Sequence, residues 1–201
     1  MTRQIGFALL FLVLLLPVGA FAANIAPLGS HSLILAFGDS ITYGTGAPAG
    51  KSYPKRLEER LGVPVVNAGV PGEVSEEGLK RLSGLLEKHR PTLVVLCHGG
   101  NDLIRGLPLE KTSENLHEMA RAVKRTATDL VIVGVPEPGL SMTVPSFYEK
   151  IAHETGALYE GRSLRRILLD SSLKSDLIHP NAAGYARLAE DLAVLVEGAQ
   201  W

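Results

Sequence analysis

The sequence predicts an α/β fold, a five-stranded parallel sheet covered on both faces by helices. Three observations predict it. From residue 33 onward, short β-branched or aliphatic runs alternate with longer segments of helical period, as strands joined by crossover helices do. The strand candidates are apolar almost throughout, which suits burial on both faces. The 46% hydrophobic content of the 201 residues is that of a globular chain. No internal repeat, linker or composition shift follows the first 22 residues, so residues 23–201 read as a single domain.

The elements follow in order. Arg3 leads an apolar run from Ile5 to Leu16, then come Pro17-Val18-Gly19 and Ala20-Phe21-Ala22. This is the make-up of a signal peptide over residues 1–22, cleaved after Ala22. An uncleaved anchor is the alternative, because a helix through Ala23 would just span a bilayer. No second run of spanning length follows, so the mature chain is expected to be soluble, exported to the periplasm or secreted. The strands are expected at Leu33-Phe37, Val63-Asn67, Thr92-Cys97, Leu130-Val133 and Ala157-Tyr159. The helices between them are expected at Ser52-Leu61, Ser75-His89, Thr112-Arg125 and Ser146-Thr155. Pro54 falls near a helix start, where its missing N–H costs least. A last helix from about Asn181 to Glu197 carries Tyr185, Leu188, Leu192 and Leu195 on one face.

Charge excludes some partners. Twenty Lys plus Arg against 21 Asp plus Glu give a formal charge of −1, and no basic stripe with interleaved aromatics offers a nucleic-acid surface. Lys55-Arg56-Arg60 and Arg162-Arg165-Arg166 read as solvated helix faces. Cys97, the only cysteine, cannot form an intramolecular disulfide and reads as a small buried hydrophobe.

In open parallel sheets, ligands bind at the carboxyl ends of the strands. Those positions hold Gly38-Asp39-Ser40, the stretch from Asn67 to Gly72, and His98-Gly99-Gly100-Asn101-Asp102. Ser40 could be a nucleophile presented by the turn at Gly38, or equally a cap for the next helix. A nucleophilic serine needs a base, and the base needs a group that fixes its tautomer. Asp176-Leu177-Ile178-His179 supplies both in one loop: the carboxylate can turn back to Nδ1–H and leave Nε2 free for Ser40. Alternatively, Asp176 is a turn residue and His179 a surface histidine. Among the other histidines only His98 lies at a strand end, which makes it the rival base. Acyl transfer also needs donors for the oxyanion, and Gly72 and Asn101 could supply them, although each also suits an ordinary turn.

Taken in order, Gly38-Asp39-Ser40, Asn67 through Gly72, Gly99-Gly100-Asn101-Asp102 and Asp176-Leu177-Ile178-His179-Pro180 resemble the four blocks of the SGNH (GDSL) hydrolases. The resemblance runs from Leu33 to the final helix. It looks closest to the bacterial thioesterase I, lysophospholipase L1 and arylesterase group. That resemblance implies a three-layer α/β/α, flavodoxin-like fold and an exported serine hydrolase needing no metal or other cofactor. It implies action on small acyl esters or thioesters through an acyl-serine intermediate. Ser40 would be the nucleophile, His179 the base and Asp176 its orienting partner. The Ser40 backbone N–H, Gly72 and Asn101 would form the oxyanion hole. The chain is expected to act as a monomer.

The chain departs from that group at Pro138-Gly139-Leu140-Ser141-Met142-Thr143-Val144-Pro145, in a shorter Tyr159–Asp176 segment, and at His98 and Pro71. Leu140, Met142, Val144 and Phe147 could line a site for a medium or long acyl group, or could be plain core. A carbohydrate O-acetylesterase on the same triad is the second enzyme reading. A non-catalytic flavodoxin-like module binding a nucleotide or flavin is the third, with no G-x-x-x-x-G-K-[ST] or G-x-G-x-x-G after a predicted strand to favour it. H-E-x-x-H, cysteine pairs and G-x-S-x-G are also absent, which disfavours a metal hydrolase or an α/β-hydrolase nucleophile elbow.

Overall fold

Two runs, Ile34–Gly38 (β1) and Leu93–Cys97 (β3), are buried at every position, and they pair with each other at the centre of the sheet. The computed structural model describes residues 24–200; the expected leader over residues 1–22 lies outside them. Strands Val65–Gly69 (β2), Asp129–Val133 (β4) and Leu158–Glu160 (β5) complete a parallel sheet in the order β2-β1-β3-β4-β5. This is the expected α/β fold.

Helices Ser40–Tyr43 (α1) and Tyr53–Leu61 (α2) connect β1 to β2, and Ser75–His89 (α3) connects β2 to β3. Next come Gly100–Ile104 (α4), Leu109–Arg125 (α5) and Phe147–Thr155 (α6), followed after β5 by Ser163–Leu169 (α7) and Ala182–Gly198 (α8). One layer packs α2 and α7 against α8; the other packs α3 and α6 against α5. Helix α8 buries Tyr185, Leu188, Leu192 and Val196, a face at helical spacing, and Leu195 packs at its margin. Arg60 on α2 reaches Glu190 and Glu197 on α8 from the solvent side, as a solvated helix face should. Cys97 is fully buried and its thiol is pushed well above its ordinary pKa by that burial. Among the described residues no helix is long and apolar enough to cross a membrane.

The larger differences from expectation are three short helices and two shifted boundaries. Helices α1, α4 and α7 span only four, five and seven residues, too few for an amphipathic period to show. Helix α5 starts at Leu109 rather than Thr112, because its first turn is solvent-exposed. Strand β2 covers Val65–Gly69 rather than Val63–Asn67. It is an edge strand, so the polar, exposed Asn67 does not end it, and the ladder runs on until Gly38 pairs with Gly69.

The sheet closes tightly at that end. A β-carbon on Gly38 would overlap the Cys97 carbonyl oxygen and Thr42 Oγ1. Gly38→Ala should therefore lower stability by about 1–3 kcal/mol in urea unfolding, as overpacking does. Gly84 lies exposed in α3 with open space around it. Gly84→Ala should instead raise stability by about 0.5–1 kcal/mol.

Candidate active site

The strand order reverses between β1 and β3, and the connections that leave these neighbouring strands diverge to form the crevice where such sheets bind ligands. Asp39 leaves β1 and caps α1 by accepting from the Ile41 N–H at 3.1 Å. The cap is therefore Asp39 and not Ser40, whose hydroxyl is left free. Asp39 is buried, which pushes its carboxyl above the ordinary range; nearby His98 and His179 and the N–H groups of Ile41 and Gly100 act in the opposite sense.

Ser40 Oγ lies 3.0 Å from His179 Nε2, and His179 Nδ1 lies 2.8 Å from Asp176 Oδ2. With Nδ1–H donating to the carboxylate, Nε2 carries a lone pair that can accept a hydrogen bond from the Ser40 hydroxyl. Asp176 Oδ1 accepts from the backbone N–H groups of Ile178 and His179, both at 2.8 Å. Partial burial alone would raise the Asp176 pKa, but those donors and the imidazole more than offset it and hold the carboxyl below its ordinary value.

The loop carrying the pair is stapled on both sides. Ser175 N–H donates to the His179 carbonyl at 2.9 Å, and Asn181 Oδ1 caps α8 through Ala183 and Gly184. Its amide nitrogen donates to the carbonyls of Ser172 and Lys174. Asn181 thus opens the helix as its N-cap. Tyr185 of α8 donates to the Thr45 carbonyl at 2.7 Å, which fixes α8 to the chain just after the Ser40 turn.

Asn101 sits on α4 and faces the same cleft as Ser40 and His179. One of its amide N–H groups donates to the Glu73 carbonyl at 3.0 Å, leaving the other free. Gly72 has φ +81° and is exposed, in the turn closed by Glu73 N–H on the Val70 carbonyl, where Pro71 also stands exposed. Its carbonyl accepts from Arg105 Nη2 at 2.8 Å, so the Gly72 turn is tied to the end of α4. Gly72 is not among the residues that form the cleft wall, but the bond from Asn101 to the Glu73 carbonyl holds its turn next to Asn101. Asp102 turns away from the site: it accepts from the Ser75 N–H and hydroxyl and anchors α4 to the start of α3.

His98 does not compete with His179. It is fully buried, its Nδ1 accepts from the Gly99 N–H at 2.8 Å, and its Nε2 lies 3.0 Å from Glu73 Oε2. Glu73 also holds Arg81 through Nε and Nη2, both at 2.6 Å. Sequence reasoning missed Glu73; the signal was a glutamate two residues before α3 facing an arginine one helical face along.

The cleft is shallow, with about 390 Å³ of empty space once its open mouth is included. Its apolar wall comes from Ile104, Val135, Met142, Leu168 and Ile178. Of the four residues expected there, only Met142 contributes. Glu137 N–H bonds the Thr143 carbonyl, folding the loop back so that Leu140 points fully into solvent. Val144 and Phe147 pack against the core. Among the described residues, no group of three or more His, Cys, Asp or Glu side chains converges as a metal centre would.

Comparison with known proteins agrees with this architecture. The GDSL-like lipase/acylhydrolase family model matches residues 36–187. The chain is 30% identical to esterase TesA of Pseudomonas aeruginosa, over 79% of this chain and 85% of that one. It is 29% identical to thioesterase 1/protease 1/lysophospholipase L1 of Escherichia coli K12, over 80% and 81%. A crystal structure of TesA superposes with a TM-score of 0.74 at 27% identity, covering 84% of this chain and 99% of that one.

The Glu73 carboxyl is held below its ordinary value: burial works to raise it, and the hydrogen bonds from His98 and Arg81 outweigh burial. A carboxylate whose folded pKa is depressed stabilises fully above the ordinary carboxylate range, and loses that contribution as pH falls through the folded value. The stability gap between wild type and Glu73→Gln in urea should therefore narrow from about pH 6 toward about pH 3. A gap of constant size would contradict it.

Proposed function

The chain belongs to the GDSL-like lipase/acylhydrolase family and is a serine hydrolase acting on esters, and from that premise we propose that it works through an acyl-Ser40 intermediate. The observation that supports this is the unbroken hydrogen-bonded sequence from Ser40 Oγ through His179 to Asp176. As Ser40 Oγ attacks the acyl carbon, His179 Nε2 takes its proton. Asp176 keeps the imidazole in the tautomer that can accept it and stabilises the imidazolium. The negative charge that develops on the carbonyl oxygen is received by the N–H groups of Ser40 and Gly72 and by the free amide N–H of Asn101. His179 then gives its proton to the departing alcohol or thiol as the bond to the acyl carbon breaks. Water attacks the acyl-enzyme with His179 again as base, and the carboxylic acid leaves as Ser40 regains its proton.

The apolar wall supports an aliphatic acyl group as the substrate class, as ester or thioester. Those apolar side chains favour an acyl group longer than acetyl over the carbohydrate O-acetylesterase reading. The apolar leader in the sequence supports export, to the periplasm or the medium, as the setting for this chemistry.

Ser40→Ala should lower turnover of p-nitrophenyl butyrate by about 10⁴-fold or more, as loss of a serine nucleophile does. Wild-type activity in that variant would sink the mechanism. Asp176→Asn, which offers Nδ1 the wrong partner, should lower kcat by about 10³–10⁴-fold with little change in KM. Across p-nitrophenyl esters, kcat/KM should climb from acetate toward the medium chains, by at most roughly 4-fold per methylene if each buries ~0.8 kcal/mol. A profile that falls beyond acetate would favour the deacetylase reading instead.

A further inference from the structure

We propose that His98 is a positioning residue for the oxyanion hole, acting through Glu73; the inference rests on the reading of Ser40 as nucleophile and of Gly72 and Asn101 as donors. Glu73 is the reference point for both donors. Its own carbonyl holds the Asn101 amide at 3.0 Å, and Gly72 is its immediate neighbour in the chain. What holds Glu73 is a buried carboxylate with three donors: Arg81 Nε, Arg81 Nη2 and His98 Nε2.

Each of those partners is itself fixed. Arg81 donates to the Gly38 and Ala68 carbonyls at the ends of β1 and β2, and its guanidinium lies 4.1 Å above the Phe37 ring. His98 follows directly on β3, its ring stacked against that of Phe37 with 5.8 Å between centroids and its carbonyl held by the Tyr148 hydroxyl at 2.9 Å. The Gly99 N–H occupies Nδ1, so the ring proton resides on Nε2 and points at Glu73. Gly78 makes room for this contact, because a β-carbon there would strike His98 Nε2. The network therefore ties the ends of three strands to the one residue from which the Gly72 N–H and the Asn101 amide take their places.

Donors aimed at an oxyanion act on the transition state more than on bound substrate. Loosening Glu73 should thus fall on kcat. His98→Leu removes the third donor, and it should lower kcat for p-nitrophenyl butyrate by about 10–100-fold with KM within about 2-fold of wild type. It should weaken binding of a trifluoromethyl ketone, a tetrahedral adduct former, by a similar factor. His98→Gln, whose amide nitrogen reaches the place of Nε2, should recover most of both losses.

Equal impairment of the Leu and Gln variants, wild-type kcat in His98→Leu, or a loss that falls on KM would overturn the proposal. If His98→Leu does not fold, Gly78→Ala takes its place: displacing the His98 ring should reproduce the kcat loss, and unchanged kcat would overturn it equally. Ser40→Ala measured alongside separates the two levels. Activity retained in Ser40→Ala defeats the underlying mechanism, whereas an inactive Ser40→Ala beside a fully active His98→Leu defeats the positioning role alone.

Discussion

The parallel pairing of β1 with β3, in register from Ile34 opposite Leu93 to Gly38 opposite Cys97, is the constraint on which the site depends. Both strands end at the same level, and the chain must leave them in different directions. Ser40 follows one strand end and Asn101 the other, so a register slip of one residue would separate them and turn every core side chain to the opposite face. The tightness of this end explains its glycines. Gly38 and Gly69 have no room for a β-carbon, and Gly99, at φ +98°, makes the turn from β3 into α4 in a conformation that side chains resist.

Close approach of so many backbone ends would leave buried polar groups without water, and three acidic side chains resolve this. Asp39 satisfies the start of α1, Asp102 satisfies the start of α3, and Glu73 collects Arg81 and His98. An unpaired buried donor or acceptor costs about 1–3 kcal/mol, so each of these contacts favours one arrangement of the loops. The result is a rigid arrangement: Asp39 performs the capping and leaves the Ser40 hydroxyl to His179, Asn181 holds the His179 loop, and Tyr185 ties α8 to Thr45. Preorganised dipoles stabilise developing charge without the reorganisation that water would require.

Much of this was legible in the sequence. The apolar strands, the face of α8 and the three-residue spacing of Asp176 and His179 each follow from local geometry, and the structure joins Asp176, His179 and Ser40 as that spacing suggests. What was not legible depends on contacts between distant segments. Helices α1 and α4 are set by capping and by strand exit rather than by periodicity, so no hydrophobic pattern announces them. Leu140, Met142, Val144 and Phe147 are apolar and near in sequence to β4, which made them candidates for an acyl-facing wall as well as for plain core; only Met142 reaches the cleft. The backbone bond from Glu137 to Thr143 turns that loop outward, and the wall is completed from α4, α7 and the His179 loop. Glu73 and His98 lie 25 residues apart and meet only because β3 and the Gly72 turn share one end of the sheet.

In the proposed mechanism the reacting atom is Ser40 Oγ, which lines the cleft beside His179. The most direct measurement is to treat the folded protein with a fluorophosphonate bearing an alkyl chain and locate the adduct by intact mass and peptide mapping. A single adduct is expected, on Ser40, forming slowly or not at all when Asp176 or His179 is replaced. An adduct on another residue, or rapid labelling that survives loss of Ser40, would contradict it.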